Sequence, residues 1–452
     1  MKKILITASL VIFCALSLGA LEPRVLKISM PGAITDSLKN SAKLKSAEME
    51  AAAAKSAAKS QRSFLYPRFF FDGTYRYVTS VPSLDIPIPA IGTRKLGDNN
   101  NYSVGPALTW TLWDKNGARK NWAGAEEQEK SKEAAAEAVK KQLIFAARAA
   151  YFQSQMALEQ LRLISGYLAL AQAQYRDIKL SCDAGSKSKI DEMMANREVL
   201  AKKKMLIQAR TELAEALRDL AAITGEDGSY DLSLPFYSAD EKTLPEGIEP
   251  PTVILEMDSI GDSFSALEKY AAAVPDDSHP AIRAISDSAR ALDSAAEGLK
   301  AAMWPKIILS AKSSVDYPNG PDPVSFNQNA VGVAASFPLF EAGRTKKMSE
   351  EQSRRAEALR MQARQSEQDL ERDWAKASDR LKGLLLQKEI NKQYAGQAEE
   401  LAKIVYKSFM AGRSTCLEVQ SADNRALEAK TESVRTDIGI LIQLATLENM
   451  SK

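Results

Sequence analysis

The stretch Ser336–Arg344, SFPLFEAGR, decides how the rest of the chain is read. An alternating apolar run meets an acid, a glycine and an arginine, and a long polar segment without proline follows. The same transition stands earlier, at Thr109–Arg119, TWTLWDKNGAR. Alternation has the two-residue period of a strand, and the Ala-, Glu-, Lys-, Gln- and Arg-rich run after it suits sustained helix. A chain that makes this strand-to-helix transition twice is expected to repeat one plan.

Working outward from the two seams, the halves come into register. Trp113 falls on Phe340, Gly185 on Gly412 and Leu220 on Leu447, each 227 positions apart (412 − 185). Upstream, Asn40-Ser41 aligns with Ser278-His279 and Pro67 with Pro305, 238 apart (305 − 67). The first half therefore holds 11 extra residues (238 − 227), which fit one longer loop, the Pro- and Gly-containing Ser80–Asn101. Each half reads helix, strand, loop, strand, very long helix, glycine turn, returning helix. The opening helices are expected over 33–65 and 279–303, the long ones over 118–182 and 344–410, and the returning ones over 188–224 and 415–448. At ~1.5 Å per residue the long helices reach on the order of 95–100 Å. Leu143, Ala147, Ala150, Tyr151, Met156, Leu158 and Leu161 form an apolar stripe fit for coiled-coil-like packing. Residues 226–277 repeat nothing; they are acidic and carry Pro235, Pro245, Pro250, Pro251 and Pro275, as a small mixed insertion would. The expected organisation is a leader at 1–20, a first repeat at 21–225, the insertion at 226–277 and a second repeat at 278–452.

Composition excludes several classes. Across 452 residues, Lys plus Arg number 60 and Asp plus Glu 58, so no basic excess invites nucleic acid. The opening MKKILITASLVIFCALSLGA has the basic start, apolar middle and small-residue end of a secretory signal peptide. Cys14 lies inside its apolar stretch after Phe13, which argues against a lipidation site. Cys182 and Cys416 then remain, 234 positions apart (416 − 182), and do not make a disulfide framework. With one histidine, no cysteine cluster and no phosphate-cradling glycine loop, neither an enzyme site nor a metal or cofactor is expected. His279 stands just before Pro280 with Asp277 and Ser278 at hand as caps, a helix start. Lys202-Lys203-Lys204 reads as a solvated helix face.

The strands alternate in a way that suits lipid. Phe69, Phe71, Tyr75 and Tyr77 share one face of 68–80, and Phe70, Asp72, Thr74, Arg76 and Val78 the other. In 102–113, Tyr102, Val104, Pro106, Leu108, Trp110 and Leu112 oppose Ser103, Gly105, Ala107, Thr109 and Thr111. Ile307, Leu309, Ala311 and Val315 oppose Lys306, Ser310, Lys312 and Ser314; Val331, Val333, Ala335, Phe337 and Leu339 oppose Gly332, Ala334 and Ser336. Ten to twelve such residues span a bilayer as a tilted strand. A soluble sandwich on a helical stalk shows the same alternation, but a core sheet would hardly point Asp72, Arg76, Lys306 and Lys312 to one side. Lipid tolerates no open sheet edge, and four strands cannot close a barrel, so the membrane reading requires several chains to pool their hairpins.

With the duplicated plan, "HPAIRAISDSARALDSAAEGLKAAMWP", "SFPLFEAGR", the turns "DAGSKSKID" and "MAGRSTCLEV" and the closing "LRDLAAITG", the chain resembles the TolC-like outer-membrane efflux proteins from about Leu26 to Leu447. Two departures stand out. The first hairpin exit reads as one residue longer (Asp114–Gly117 against Glu341–Gly343), and Asn40-Ser41 stands where the second half has Ser278-His279-Pro280. The resemblance implies a mainly α fold with β: a homotrimer whose hairpins form a twelve-stranded outer-membrane barrel that continues into a long helical barrel in the periplasm. It also implies a passive conduit of a tripartite efflux or type I secretion system, reached through a periplasmic adaptor (membrane fusion protein) from an inner-membrane pump. The competing reading is a periplasmic adaptor or coiled-coil scaffold without conduction, though an adaptor usually carries one helical hairpin where this chain has two.

Candidate sites follow from the turns and seams. Gly185 and Gly412 are expected as left-handed helix caps, and by resemblance Ala184, Gly185, Ser186, Ala411, Gly412 and Arg413 are adaptor-contact tips. Asp191 and Glu418 each lie six residues past a turn glycine. They read as acids favoured in the first turns of a helix, as part of a solvated face or, by resemblance, as an acidic ring at the periplasmic entrance. Trp113, Gly117, Phe340 and Gly343 mark the barrel-to-helix transitions.

Overall fold

The computed structural model describes residues 24–86, 92–225, 236–238 and 253–451. The leader at 1–20 and much of 226–252 lie outside them. The described chain is mostly helical. A strand, β1 (Arg24–Ile28), precedes α1 (Met30–Asn40) and α2 (Ala42–Ser63), followed by β2 (Arg68–Tyr77), β3 (Ser83–Ile86), β4 (Gly92–Lys95) and β5 (Asn100–Trp113). The first long helix α3 (Gly117–Asp183) and its return α4 (Lys189–Thr224) come next, then β6 (Phe236–Ser238), β7 (Val253–Met257) and α5 (Ile260–Leu267). The second half supplies α6 (Pro280–Ala301), β8 (Lys306–Tyr317), β9 (Phe326–Ser336), α7 (Arg344–Met410) and α8 (Cys416–Met450).

The two long helices contain 67 residues each, on the order of 100 Å at ~1.5 Å per residue. Their ends fall within a residue of the expected ones, because glycine turns and acids punctuate them. The opening helix of the first half differs: it breaks at Ser41, which takes an extended backbone and caps α2 by accepting the Leu44 N–H at 3.2 Å. The equivalent α6 is capped by His279 itself, whose Nδ1 accepts the Ala281 N–H at 3.3 Å, while Ser278 bonds to Asp276.

Two compact units divide the chain, and each draws on both sequence halves. One gathers Leu38–Ala146, Lys269–Leu381 and Gln443–Lys452. It contains a four-stranded antiparallel sheet in the order β2-β5-β8-β9. The β5–β8 pairing joins the two hairpins, with Tyr102 stacked on Tyr317 at 5.1 Å between ring centroids. Gly105 lies where β5 presses on β8: a Cβ there would sit 2.0 Å from the Ser313 carbonyl oxygen, so only glycine fits. Inside the stretch expected as one loop, β3 and β4 pair as a small hairpin. The last strand ends at Ser336 rather than running on to Leu339, since Pro338 has no N–H to donate.

The second unit takes the N-terminal residues to Ser37, Ala147–Glu268 and Lys382–Ile442. Its small sheet is parallel, in the order β1-β7-β6. Five residues, RVLKI, make β1, too few to declare a strand by periodicity alone. Tyr151 of α3 is fully buried against this sheet, donating to the Ile28 carbonyl at 3.3 Å and accepting the Asp258 N–H at 2.9 Å. The stripe on α3 is observed: Ala147, Ala150, Tyr151, Leu158 and Leu161 are buried, while Leu143 and Met156 are half-buried. Leu206, Leu213, Leu217 and Leu220 of α4 and Leu441 of α8 are buried as well, all at most 3% exposed, as the apolar stripes of packed helices are.

Candidate functional site: hairpin seams and helix tips

Each seam is where an antiparallel strand gives way to a long helix, after three residues between β5 and α3 and seven between β9 and α7. Left-handed backbone does this, and it appears at Lys115 (φ 56°) and Asn116 (φ 65°) in the first seam and at Ala342 (φ 48°) and Gly343 (φ 80°) in the second. These pairs are 227 positions apart, like the rest of the second-half register (342 − 115). The first exit is therefore no longer than the second. Asn116 occupies the position of Gly343, and Gly117 is already the first residue of α3, as Arg344 is of α7. Asparagine is the residue other than glycine that best tolerates this conformation, so the glycine one step on misleads the eye. The acids then cap the helices. Asp114 accepts the Ala118 N–H at 2.7 Å through its side chain and the Gly117 N–H at 3.0 Å through its carbonyl. Glu341 accepts the Arg344 N–H at 2.9 Å and the Thr345 hydroxyl. Trp113, Leu339 and Phe340 are exposed at these seams, Phe340 by 88%.

The tips repeat as closely. Gly185 (φ 75°) donates to the Cys182 carbonyl and Ser186 to that of Ser181, both at 2.9 Å. Gly412 (φ 76°) and Arg413 do the same to Phe409 and Ser408. This paired six-to-one and five-to-two bonding is the Schellman arrangement. Ala184 and Ala411 close the helices just before it. Asp191 and Glu418 have a definite structural task. Ser188 accepts the Asp191 N–H at 3.1 Å while Asp191 takes the Ser188 N–H at 3.2 Å, and Thr415 and Glu418 exchange the same bonds at 3.3 and 2.8 Å. Both acids thus complete capping boxes, with Glu418 exposed and Asp191 half-buried.

Three features here had no sequence signal. Lys187 leaves the first tip and donates to the Phe409 carbonyl, its ammonium 3.9 Å from the centroid of the Phe409 ring, which ties one tip to the other. Cys416 is buried beside the Asp191 carbonyl, and burial pushes its thiol up; Cys182, half-exposed, is pushed the same way by burial and by Glu192. Lys202 does not lie on a solvated face. It is 2% exposed, 3.2 Å from Glu198 and bonded to Asn424. Beside it Asp423 is buried; desolvation pushes its carboxyl up, opposed by the Gln174 amide at 2.9 Å and the Lys202 charge. Gln420 extends this polar seam to the Met194 carbonyl at 2.9 Å and to Arg197 at 3.2 Å.

Among the described residues, no cluster of His, Cys, Asp and Glu could hold a metal ion, and no helix is long and apolar enough to cross a membrane. The strands expose an apolar face: Phe69 is 74% exposed and Val331 77%, on the face they share with Phe71, Tyr75 and Val333.

Strand hairpins with an exposed apolar face, set between very long paired helices, define a channel protein of the outer-membrane type. The profile of the outer membrane efflux protein family matches residues 33–226 and again 277–451, and the chain belongs to that family. It serves as the outer-membrane channel of an efflux system. Solved structures share its fold. The outer-membrane channel OprN is 16% identical, with a TM-score of 0.73 over 93% of this chain and 89% of its own. VceC, an outer membrane protein of Vibrio cholerae, is 16% identical with a TM-score of 0.71 over 93% and 95%. The Campylobacter jejuni outer membrane channel CmeC is 14% identical with a TM-score of 0.72 over 93% and 85%. No curated protein matches the sequence.

Proposed function

We propose that three copies of this chain pool their hairpins into one twelve-stranded barrel in the outer membrane, continued by their long helices as a tunnel in the periplasm. The observation that carries this reading is the four-stranded sheet itself. Among the described residues its outer strands β2 and β9 each have one unpaired edge, and its apolar face is exposed. Four strands cannot close on themselves, and lipid tolerates no open edge. Neighbouring copies supply the missing partners, since β2 of one can pair with β9 of the next and close a ring by rotation.

In this reading the chain is an internal duplication, supported by the two family matches and by left-handed turns and helix-cap bonds that recur at both seams and both tips. Its domains are the repeats 21–225 and 278–452 after a leader at 1–20, with an insertion at 226–277; the family matches leave 227–276 uncovered. The tips, Ala184–Ser186 and Ala411–Arg413, are the contact points for a periplasmic adaptor that links the channel to an inner-membrane pump. Asp191 and Glu418 of three copies supply six carboxylates around the periplasmic entrance. The chain acts as a passive conduit for small molecules or proteins, with no chemical step of its own.

Fractionation tests the assembly. The protein is expected in the outer membrane as a trimer that survives detergent, and cysteines placed at Ser186 and Arg413 should crosslink to an adaptor. A soluble periplasmic monomer would overturn the channel assembly and favour a scaffold.

A further inference from the structure

The sheet of β2, β5, β8 and β9 carries six residues of the Asp, Glu, Lys and Arg types: Arg68, Asp72, Arg76, Lys306, Lys312 and Asp316. The registers put all six on one face. Asp72 lies opposite Gly105, Ser103 opposite Asp316 and Ala107 opposite Lys312, and the even-numbered positions of β2 and β8 share that side. The other face has none. Exposed charge facing lipid is costly at bilayer depth, so the charged face is the one that lines water in a closed barrel.

The charges do not cancel. Four cations stand against two acids, a surplus of two per chain. Lys312 is held in the middle by Asp72 at 3.9 Å and by the Ser103 hydroxyl at 2.7 Å. Asp316 is bonded to Ser103 and Ser314. At the end where the strands meet the helices, only cations remain. Arg68 pairs across the sheet with Thr109, itself opposite Ser310, and Lys306 lies four residues nearer the helices. Both are exposed, and no carboxylate among the described residues forms an ion pair with either. The Arg68 guanidinium rests 5.5 Å from the Phe70 ring, which leaves its charge uncompensated. The acids of the two strand-to-helix seams, Asp114 and Glu341, are engaged in capping α3 and α7.

We propose that Arg68 and Lys306 form a cationic collar at the helix end of the barrel and make this part of the conduit favour anionic solutes. The proposal rests on the barrel reading above. Three copies bring six cations around one opening, and a ring of fixed positive charge in a narrow polar passage raises the local concentration of anions. Residues Asp191 and Glu418, as an acidic ring, would act in the opposite sense. A reversal potential across the whole conduit averages the two, so the collar needs a local probe.

Thr109 supplies one, being on the same face and paired with Arg68. In the full-length channel, Thr109→Cys is modified from outside with an anionic methanethiosulfonate (ethylsulfonate) and a cationic one (ethyltrimethylammonium). The peptide carrying residue 109 is followed by mass spectrometry. The anionic-to-cationic rate ratio, scaled to a small thiol in solution, should exceed one by roughly threefold or more. Arg68→Gln with Lys306→Gln should return it to about one, while Arg68→Lys with Lys306→Arg should preserve it. A ratio at or below one in the parent, or one unmoved by the glutamine pair, overturns the collar. Should the double variant fail to assemble, the single variants carry the same reading, each lowering the ratio part of the way. Leu108→Cys separates failure of the barrel: it faces lipid and should resist both charged reagents. If it reacts as readily as Thr109→Cys, the barrel reading fails instead.

Discussion

At the scale of single residues, the acids Asp191 and Glu418 have a capping task that any test of the entrance ring proposed above must leave intact. Each accepts the N–H of its own helix cap, which stabilises a helix start by about 1 kcal/mol. Removing the carboxylate outright would confuse a loss of the cap with a loss of charge. Asp191→Asn with Glu418→Gln keeps an acceptor in place and removes two charges per chain. In planar bilayers this variant should weaken block by polyvalent cations without lowering thermal stability by more than about 1 kcal/mol. Unchanged block would remove the acidic ring from the entrance.

His279 makes a second residue-scale case. Its Nδ1 accepts the Ala281 N–H, so its Nε2 carries the proton that reaches the Asn449 carbonyl at 3.2 Å. Burial, and then the Lys141 charge, hold its pKa below the ordinary histidine value, against weaker opposing pulls from the Asn449 carbonyl, Asp276 and Glu137. The folded state therefore keeps the ring neutral where the unfolded chain already binds a proton. Stability is present above the unfolded pKa and is lost as pH falls through about 6.5 toward the lower folded value. The melting temperature should drop more between pH 7.5 and 5.5 in the parent than in His279→Asn, which keeps a capping side chain. Equal drops would mean that His279 does not contribute.

At the scale of elements, glycine and the capping acids made the long helices legible. A left-handed cap at Gly185 or Gly412 and an acid a few residues on bound a segment whatever surrounds it. Three local features were not legible. The break between α1 and α2 at Ser41 depends on a serine that fits equally well within a helix. The five residues of β1 become a strand only because β7 offers its edge. Lys202 stands in a run of three lysines, and only the packing of α4 against α8 shows which of them is inside. There it meets Glu198 and Asn424 and draws the Asp423 carboxyl down. Lys202→Met should cost on the order of 3 kcal/mol, since it strands Glu198 and raises Asp423 further. Adding Glu198→Leu should restore most of that, because an apolar pair can replace a buried ion pair. Thermal melting in detergent decides it: no recovery in the double variant would assign the role of Lys202 to Asn424 and Asp423 instead.

At the scale of the molecule, the sequence repeat and the compact units divide the chain differently. Each unit takes segments from both repeats, because the two hairpins share one sheet and the long helices pack with helices of the other half. The sequence by itself determined the bounds of the 67-residue helices, the face on which each strand carries its charges, and the family. Those features are local: periodicity, capping and left-handed turns are written within a few residues. Only the tertiary structure decided that Asn116 rather than Gly117 makes the first turn, that β1 exists, that Lys202 is buried, and that Lys187 crosses from one tip to the other. Each of these depends on a partner hundreds of residues away or on a backbone angle that two residue types can share.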